Sequence, residues 1–178
     1  TGNSPVTSSL SVRNFTSRLG SSDYSGSLSV RNFINPSAEL IFRGKLLPSE
    51  LREFLDLKSI SRAAGSIDLN LKFSGAPSIK KTFGLRDIFT LNSNSEVIFN
   101  SVELKVENRN IDINNANGKV SLIGEETKSD NLSFFLNGHK VVLSGTINNF
   151  PGWLTGSPVT LTGTANVTAT CFRPESFM

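Results

Sequence analysis

The sequence predicts a mainly β protein: a mostly antiparallel meander built from repeated β-units, with one short amphipathic helix. Three observations carry that expectation. Apolar and polar residues alternate, so that Ile67, Leu69, Leu71 and Phe73 interleave with Ser66, Asp68, Asn70 and Lys72. A period of two sends all the apolar side chains to one face of a strand. A seven-residue string, Ser9-Leu10-Ser11-Val12-Arg13-Asn14-Phe15, recurs unchanged as Ser27-Leu28-Ser29-Val30-Arg31-Asn32-Phe33, eighteen residues later. Lastly, Asn117-Gly118 and Asn137-Gly138 stand where tight hairpin turns need residues that tolerate positive φ.

Taken in order, the two copies of the repeat (9–15 and 27–33) read as strands around the turn-rich Gly20-Ser21-Ser22-Asp23. Self-similar short β-units point to an array that adds strands along an axis. A strand near 38–46 follows, and then the spacing changes. Leu47, Leu51, Phe54 and Leu55 recur at three and four, which predicts a helix over about 48–57. Pro48 suits its first turn and Glu50 complements its dipole. Strands are expected near 66–74, 97–107, 118–124, 132–137, 140–148 and 158–171, with a weak helical turn near Leu85–Phe89. Val102, Leu104 and Val106 alternate, as do Val141, Leu143 and Ile147, and then Val159, Leu161, Ala165 and Val167.

At 178 residues, the chain is expected to form one β-rich domain, 1–178, or a section of a longer repeat-built protein. It contains no apolar run of about 18 residues to cross a membrane as a helix. Its first residues carry neither a basic nor an apolar signal region. The net charge of +3 hides a gradient: residues 43–86 hold nine Lys/Arg against four Asp/Glu, and 87–178 hold six against nine. Solvated strand faces explain such a gradient more simply than an anionic partner does. The single cysteine, Cys171, excludes an internal disulfide framework and continues the last apolar alternation as a small hydrophobe.

Chemistry-bearing constellations are missing from the sequence. His139 is the sole histidine and has no Cys, His or carboxylate cluster at ligand spacing, so neither a metal nor another cofactor is expected. The many Ser and Thr residues lack a histidine base held by a third group. Glu125 and Glu126 are adjacent, and neighbours on a strand face opposite ways, which is wrong for a paired acid and base. No Gly-rich phosphate loop opens a helix. Three glycosylation sequons, at Asn14, Asn131 and Asn166, are what a chain this rich in Asn, Ser and Thr carries by chance. One Tyr and one Trp are too few aromatic platforms for nucleic acid. The expectation is a protein that is not an enzyme and whose working part is its apolar face.

Four architectures fit such a face. It could be the core of a closed sandwich or barrel. It could be the lipid side of an outer-membrane barrel, although aromatic girdles are lacking. It could belong to a carbohydrate-binding sandwich, for which Trp153 is thin support. Or it could be the concave side of an open groove or half-barrel. The last reading is favoured by a resemblance. Gly26 through Pro36, then Ala38-Glu39-Leu40-Ile41-Phe42-Arg43-Gly44-Lys45-Leu46, then the Leu-rich segment Leu47–Leu57 and Ala64 through Gly75 run in a particular order. This order is a strand with Asn-Pro, a strand with Gly, a short helix, and Gly-x-Ile-x-Leu-x-Leu-x-x-x-Gly. It resembles the repeating unit of the AsmA-like family of Gram-negative envelope proteins, especially the C-terminal regions found in Bacteroidetes. Lys140–Phe150 is a weaker echo.

The resemblance implies a curved sheet in the periplasm, tethered to the inner membrane by segments outside this chain. Its groove would shelter phospholipid acyl chains for outer-membrane lipid transport or assembly, with other envelope proteins as possible partners. The groove would be lined by Leu28, Val30, Leu40, Phe42, Ile67, Leu69, Leu71, Phe73, Val102, Leu104, Val106, Val120, Leu122, Val141, Leu143, Ile147, Val159, Leu161 and Val167. Roughly ten strands at about 4.8 Å make a sheet about 50 Å long, one section of a longer conduit. The alternative is a closed β-sandwich acting as a surface or scaffold domain that binds protein or carbohydrate.

Overall fold

The structure, a computed structural model, describes residues 4–76, 92–154 and 158–170. Nine strands form one antiparallel sheet in strict chain order: β1 (Ser9–Leu19), β2 (Ser22–Arg31), β3 (Ser37–Leu46), β4 (Ile60–Gly75), β5 (Asn92–Val106), β6 (Ile111–Ile123), β7 (Glu126–Leu136), β8 (His139–Asn148) and β9 (Thr162–Ala169). A helix, α1 (Pro48–Phe54), lies between β3 and β4, and a helical turn, α2 (Phe150–Leu154), follows β8. A single 3-10 turn, Glu107–Arg109, joins β5 to β6. The described strands close neither into a barrel nor onto a second sheet, so β1 and β9 are its two edges. At about 4.8 Å per step the sheet runs about 38 Å from edge to edge, shorter than the sequence estimate.

Cross-strand partners share a face, so the register alone sorts the side chains. Leu28 lies opposite Leu40, Leu40 opposite Phe73, Phe42 opposite Leu71, and Leu69 opposite Val97. Val97 in turn lies opposite Val120, and Leu132 opposite Leu143, which pairs with Val167. One face is thus apolar from β1 to β9. The other carries ion pairs such as Lys119–Glu96 at 2.7 Å and Arg62 with Glu103 at 3.2 Å and with Asp112. Exposed pairs of this kind add little stability and keep the back wetted.

Bulges bend this sheet. Register shifts interrupt β1 after Val12, β4 near Gly65, β5 between Phe99 and Val102, β6 between Asn114 and Val120, and β7 between Ser129 and Leu132. Asn14, Ser101 and Asn115 hold the required positive φ, and an extra residue in one strand kinks it and tightens its twist. Asn117-Gly118, expected as a hairpin turn, belongs to the β6 irregularity instead. A Cβ on Gly118 would sit 2.4 Å from Asn131 O, so glycine is used there for close approach of the neighbouring strand. Asn137-Gly138 is the turn expected, with both φ values positive (49° and 84°) as a primed two-residue hairpin demands.

The helix is shorter than 48–57. It ends at Phe54 because Asp56 turns left-handed (φ 48°), with Leu57 N–H donating back to Arg52 O at 3.0 Å. Pro48 is buried in its first turn as expected. Glu50 does more than complement a dipole. Its carboxylate accepts from Ser21 N–H and Ser21 Oγ at 2.7 Å each and from Ser22 Oγ at 2.8 Å, tying α1 to the β1–β2 turn. The last strand begins at Thr162 rather than 158, leaving Val159 and Leu161 on the approach to it. The turn expected at 85–89 and Cys171 lie outside the described residues.

Candidate functional site: an apolar trough

The lining is built from residues that β-strands favour on one half-buried face, with helix α1 laid across part of it. Leu46 of β3, Ile60 and Ile67 of β4, Phe99, Val102 and Leu104 of β5, Ile113 and Ala116 of β6, Leu132 and Phe134 of β7 and Leu143 of β8 border a single cavity of about 440 Å³. Pro48, Leu51, Arg52 and Leu57 roof it. In a flat sheet β3 and β8 would stand about 24 Å apart, so one cavity bordered by both requires the apolar face to be concave. The volume falls in the range of small-molecule sites, about 300–1,000 Å³.

A second hollow of about 270 Å³ continues from it across β6 to β9, under Phe150. Leu132 and Leu143 border both, making them the wall between two chambers of one trough. Polar groups are few. Thr127, Ser129 and Ser144 reach the second chamber, and Thr127 Oγ1 is buried without a hydrogen-bond partner among the described residues. Among the described residues, Arg52 is the one charged residue bordering the first chamber, its Nη1 donating to Ser61 O at 3.1 Å. On the outer side of α1, Phe54 and Leu55 are exposed to solvent (69% and 51%).

Toward the other side of the sheet the face packs on itself. Phe73, 3% exposed, and Ala38 form a small core with Val30, Leu40, Leu71 and Leu122 around it. Phe73 is on β4 and Leu122 on β6, and between them β5 presents only Ser93 and Ser95, opposite Phe73 and Leu122 respectively. Two small side chains let the flanking strands' apolar groups meet across the intervening one. The serines are themselves satisfied: Ser93 Oγ donates to Ser95 Oγ at 2.9 Å, which accepts from Lys72 N–H at 2.9 Å. At the β1–β3 end, Tyr24 stacks on Phe42 (centroids 5.5 Å) beside Phe15 (6.5 Å from Phe42). Tyr24 Oη is buried without a hydrogen-bond partner among the described residues.

Apart from Arg52, the charged groups described stand at the rim and on the back. Glu50 is held below the ordinary glutamate value chiefly by the Ser21 backbone N–H, then by the Ser21 and Ser22 hydroxyls. Lys119, on the back, is raised by its hydrogen bond and charge contact with Glu96. Among the described residues, no three His, Cys, Asp or Glu side chains stand close enough to hold a metal ion.

Of the residues expected to line a groove, Leu28, Val30, Leu40, Phe42, Ile67, Leu69, Leu71, Phe73, Val102, Leu104, Val106, Val120, Leu122, Val141, Leu143, Ile147 and Val167 lie on the concave face. Not all are equivalent: Ile67, Val102, Leu104 and Leu143 border the first chamber, Val120, Leu143 and Ile147 the second, and Phe73 is core. Val159 and Leu161 precede β9, outside its register, and are exposed. Residues the sequence reading passed over include Leu46, Phe99, Ile113, Leu132 and Phe134, with Leu51 from the helix and Leu57 just beyond its end. Leu51 was visible in the three-and-four spacing, but not which face of the sheet it would roof. Comparisons of the chain with family models, curated proteins and solved structures find no match.

Proposed function

We propose that this chain is a non-catalytic, hydrocarbon-sheltering section of a periplasmic AsmA-like envelope protein. Its trough holds phospholipid acyl chains during outer-membrane lipid transport or assembly, and segments outside this chain tether it to the inner membrane. The observation that carries the reading is the trough itself. Its two adjoining chambers are walled almost wholly by aliphatic and aromatic groups, on a sheet whose polar face is turned outward. Burying each methylene of a guest contributes about 0.8 kcal/mol, so an acyl chain is retained without specific contacts. The scarcity of polar groups in the lining favours a hydrocarbon guest over a sugar or nucleotide, which would need convergent donors and acceptors.

Mass spectrometry of organic extracts from natively purified protein, beside a control protein prepared identically, tests the proposal. Phospholipid enriched well above the control is the expected result. An extract no richer than the control, from a folded and monodisperse sample that also fails to take up added lipid, would refute it. That outcome would favour a scaffold domain binding protein or carbohydrate.

A further inference from the structure

The exact repeat 9–15 and 27–33 borders neither chamber, yet it has a structural consequence. Its two copies pair with each other. In the β1–β2 ladder Leu10 faces Val30, Ser11 faces Ser29 and Val12 faces Leu28. Numbered within the repeat, Leu faces Val, Ser faces the same Ser, and Val faces Leu. The first five residues of the string are therefore self-complementary as an antiparallel strand, about a local two-fold axis through their central serine. Strand β1 is also an edge of the sheet, and among the described residues no strand covers its outer side. Leu10 and Val12 are 48% and 39% exposed there, apolar side chains on the concave face with a strand neighbour on one side only among the described residues.

From this we infer that β1 is a homotypic docking edge, whose partner is β1 of a second copy of this chain. Leu10 faces Val12 of the second copy, Ser11 faces its own counterpart, and Val12 faces Leu10 of the second copy. These are the same side-chain pairs that β1 already makes with β2, so the partner strand presents no residue the edge has not already fitted. Open strand edges are templates for such addition. Arg13 then lies opposite Ser9 of the second copy, as Arg31 already lies opposite Ser9 in the ladder, so no like charges meet. Antiparallel partners share a face, so both concave surfaces open on the same side and the two sheets run on as one longer trough. The arrangement is isologous and closes as a dimer. The bulge at Arg13–Asn14 interrupts the ladder and confines the contact to a short stretch.

The test is residue-resolved cross-linking of the full 178-residue chain. In a Cys171→Ser background, Ser11→Cys places two thiols directly across the axis, within the Cα separation of about 4.4–6.8 Å that a disulfide bridges. Ser17→Cys, on the same strand but off the axis, does not meet its counterpart. The expected result is a covalent dimer from Ser11→Cys under mild oxidation and none from Ser17→Cys. Sedimentation velocity should show a concentration-dependent dimer of the unmodified chain, shifted to monomer by Ser11→Lys. This variant sets two cations opposite each other in the dimer but leaves Lys opposite the neutral Ser29 within each copy. Three outcomes would each overturn the inference. These are a monomer at every concentration with no Ser11→Cys dimer, equal cross-linking at both positions, or species growing past dimer, the signature of β1 joining an unlike edge. None depends on lipid, so failure here leaves the trough proposal standing.

Discussion

Leu143 borders both chambers of the trough, so its replacement by Asp is the sharpest probe of what the trough holds. The side chain is half-buried and borders open space, so in the empty protein the new carboxylate keeps part of its water. A guest chain laid over it must strip that water away. The lost contact with two methyl groups is worth about 1.6 kcal/mol at about 0.8 kcal/mol each. Desolvating a polar group without a partner adds about 1–3 kcal/mol or more. Together they predict a loss of about 3 kcal/mol or more, at least about a hundredfold in affinity. The assay is titration with a fluorescent long-chain fatty acid, with far-UV circular dichroism and sedimentation establishing that the variant is folded. Phe135→Asp is the control. Phe135 pairs with Asn114 and Lys140 on the convex back, and its substitution leaves affinity unchanged. A folded Leu143→Asp protein that binds within about threefold of the unsubstituted chain would refute the reasoning.

Other expectations follow from the packing and the charges. Phe73→Ala empties the centre of the small core and is expected to cost about 3–5 kcal/mol in urea denaturation, whereas a loss under about 1 kcal/mol would mean that the core is not closed there. Tyr24→Phe removes a buried hydroxyl without a partner and should leave stability unchanged or raise it by about 1 kcal/mol by the same measurement; a clear loss would reveal a partner for that oxygen. Glu50 has a folded-state pKa below its unfolded value, so its contribution to stability is complete above the ordinary value of about 4.5 and is lost as pH falls through the depressed one. Glu50→Gln should therefore flatten the acid limb of the stability-against-pH curve below that point. Parallel acid limbs for the two proteins would show that the Ser21 and Ser22 contacts do not form.

Alternation made the sheet and most of its inner face legible because a period of two survives wherever a strand is regular. It failed where strands are irregular. Phe99 and Val102 are three apart, yet both lie on the concave face, because the bulge at Asn100–Ser101 consumes a residue. A parity count started from Val102 therefore drops Phe99. In β7 the break between Ser129 and Leu132 interrupts the pattern in the same way, and Leu132 and Phe134 went unassigned. Ser93 and Ser95 are polar by composition but sit on the apolar face, where smallness matters more than polarity. Asn117-Gly118 has the composition of a turn, and only the close approach of Asn131 shows why it is not one. Curvature was beyond periodicity altogether, since it arises from backbone kinks and not from the order of apolar letters.

The unbroken sequence of neighbours from β1 to β9 also bears on how the chain folds. Among the described residues, every strand pairs only with the strands before and after it in the chain, so each closure spans one connection and loses little loop entropy. Most β architectures fold slowly because distant strands must find each other first. Here a chain emerging end-first can zip its sheet one hairpin at a time, each new strand using the last as its template. Contacts that skip a strand stand apart: Phe73 with Leu122 and Arg62 with Asp112 both reach over β5, to a strand not yet made when β4 is laid down. Cooperativity in this protein should therefore arise at such contacts, where locally assembled hairpins first become committed to a common structure.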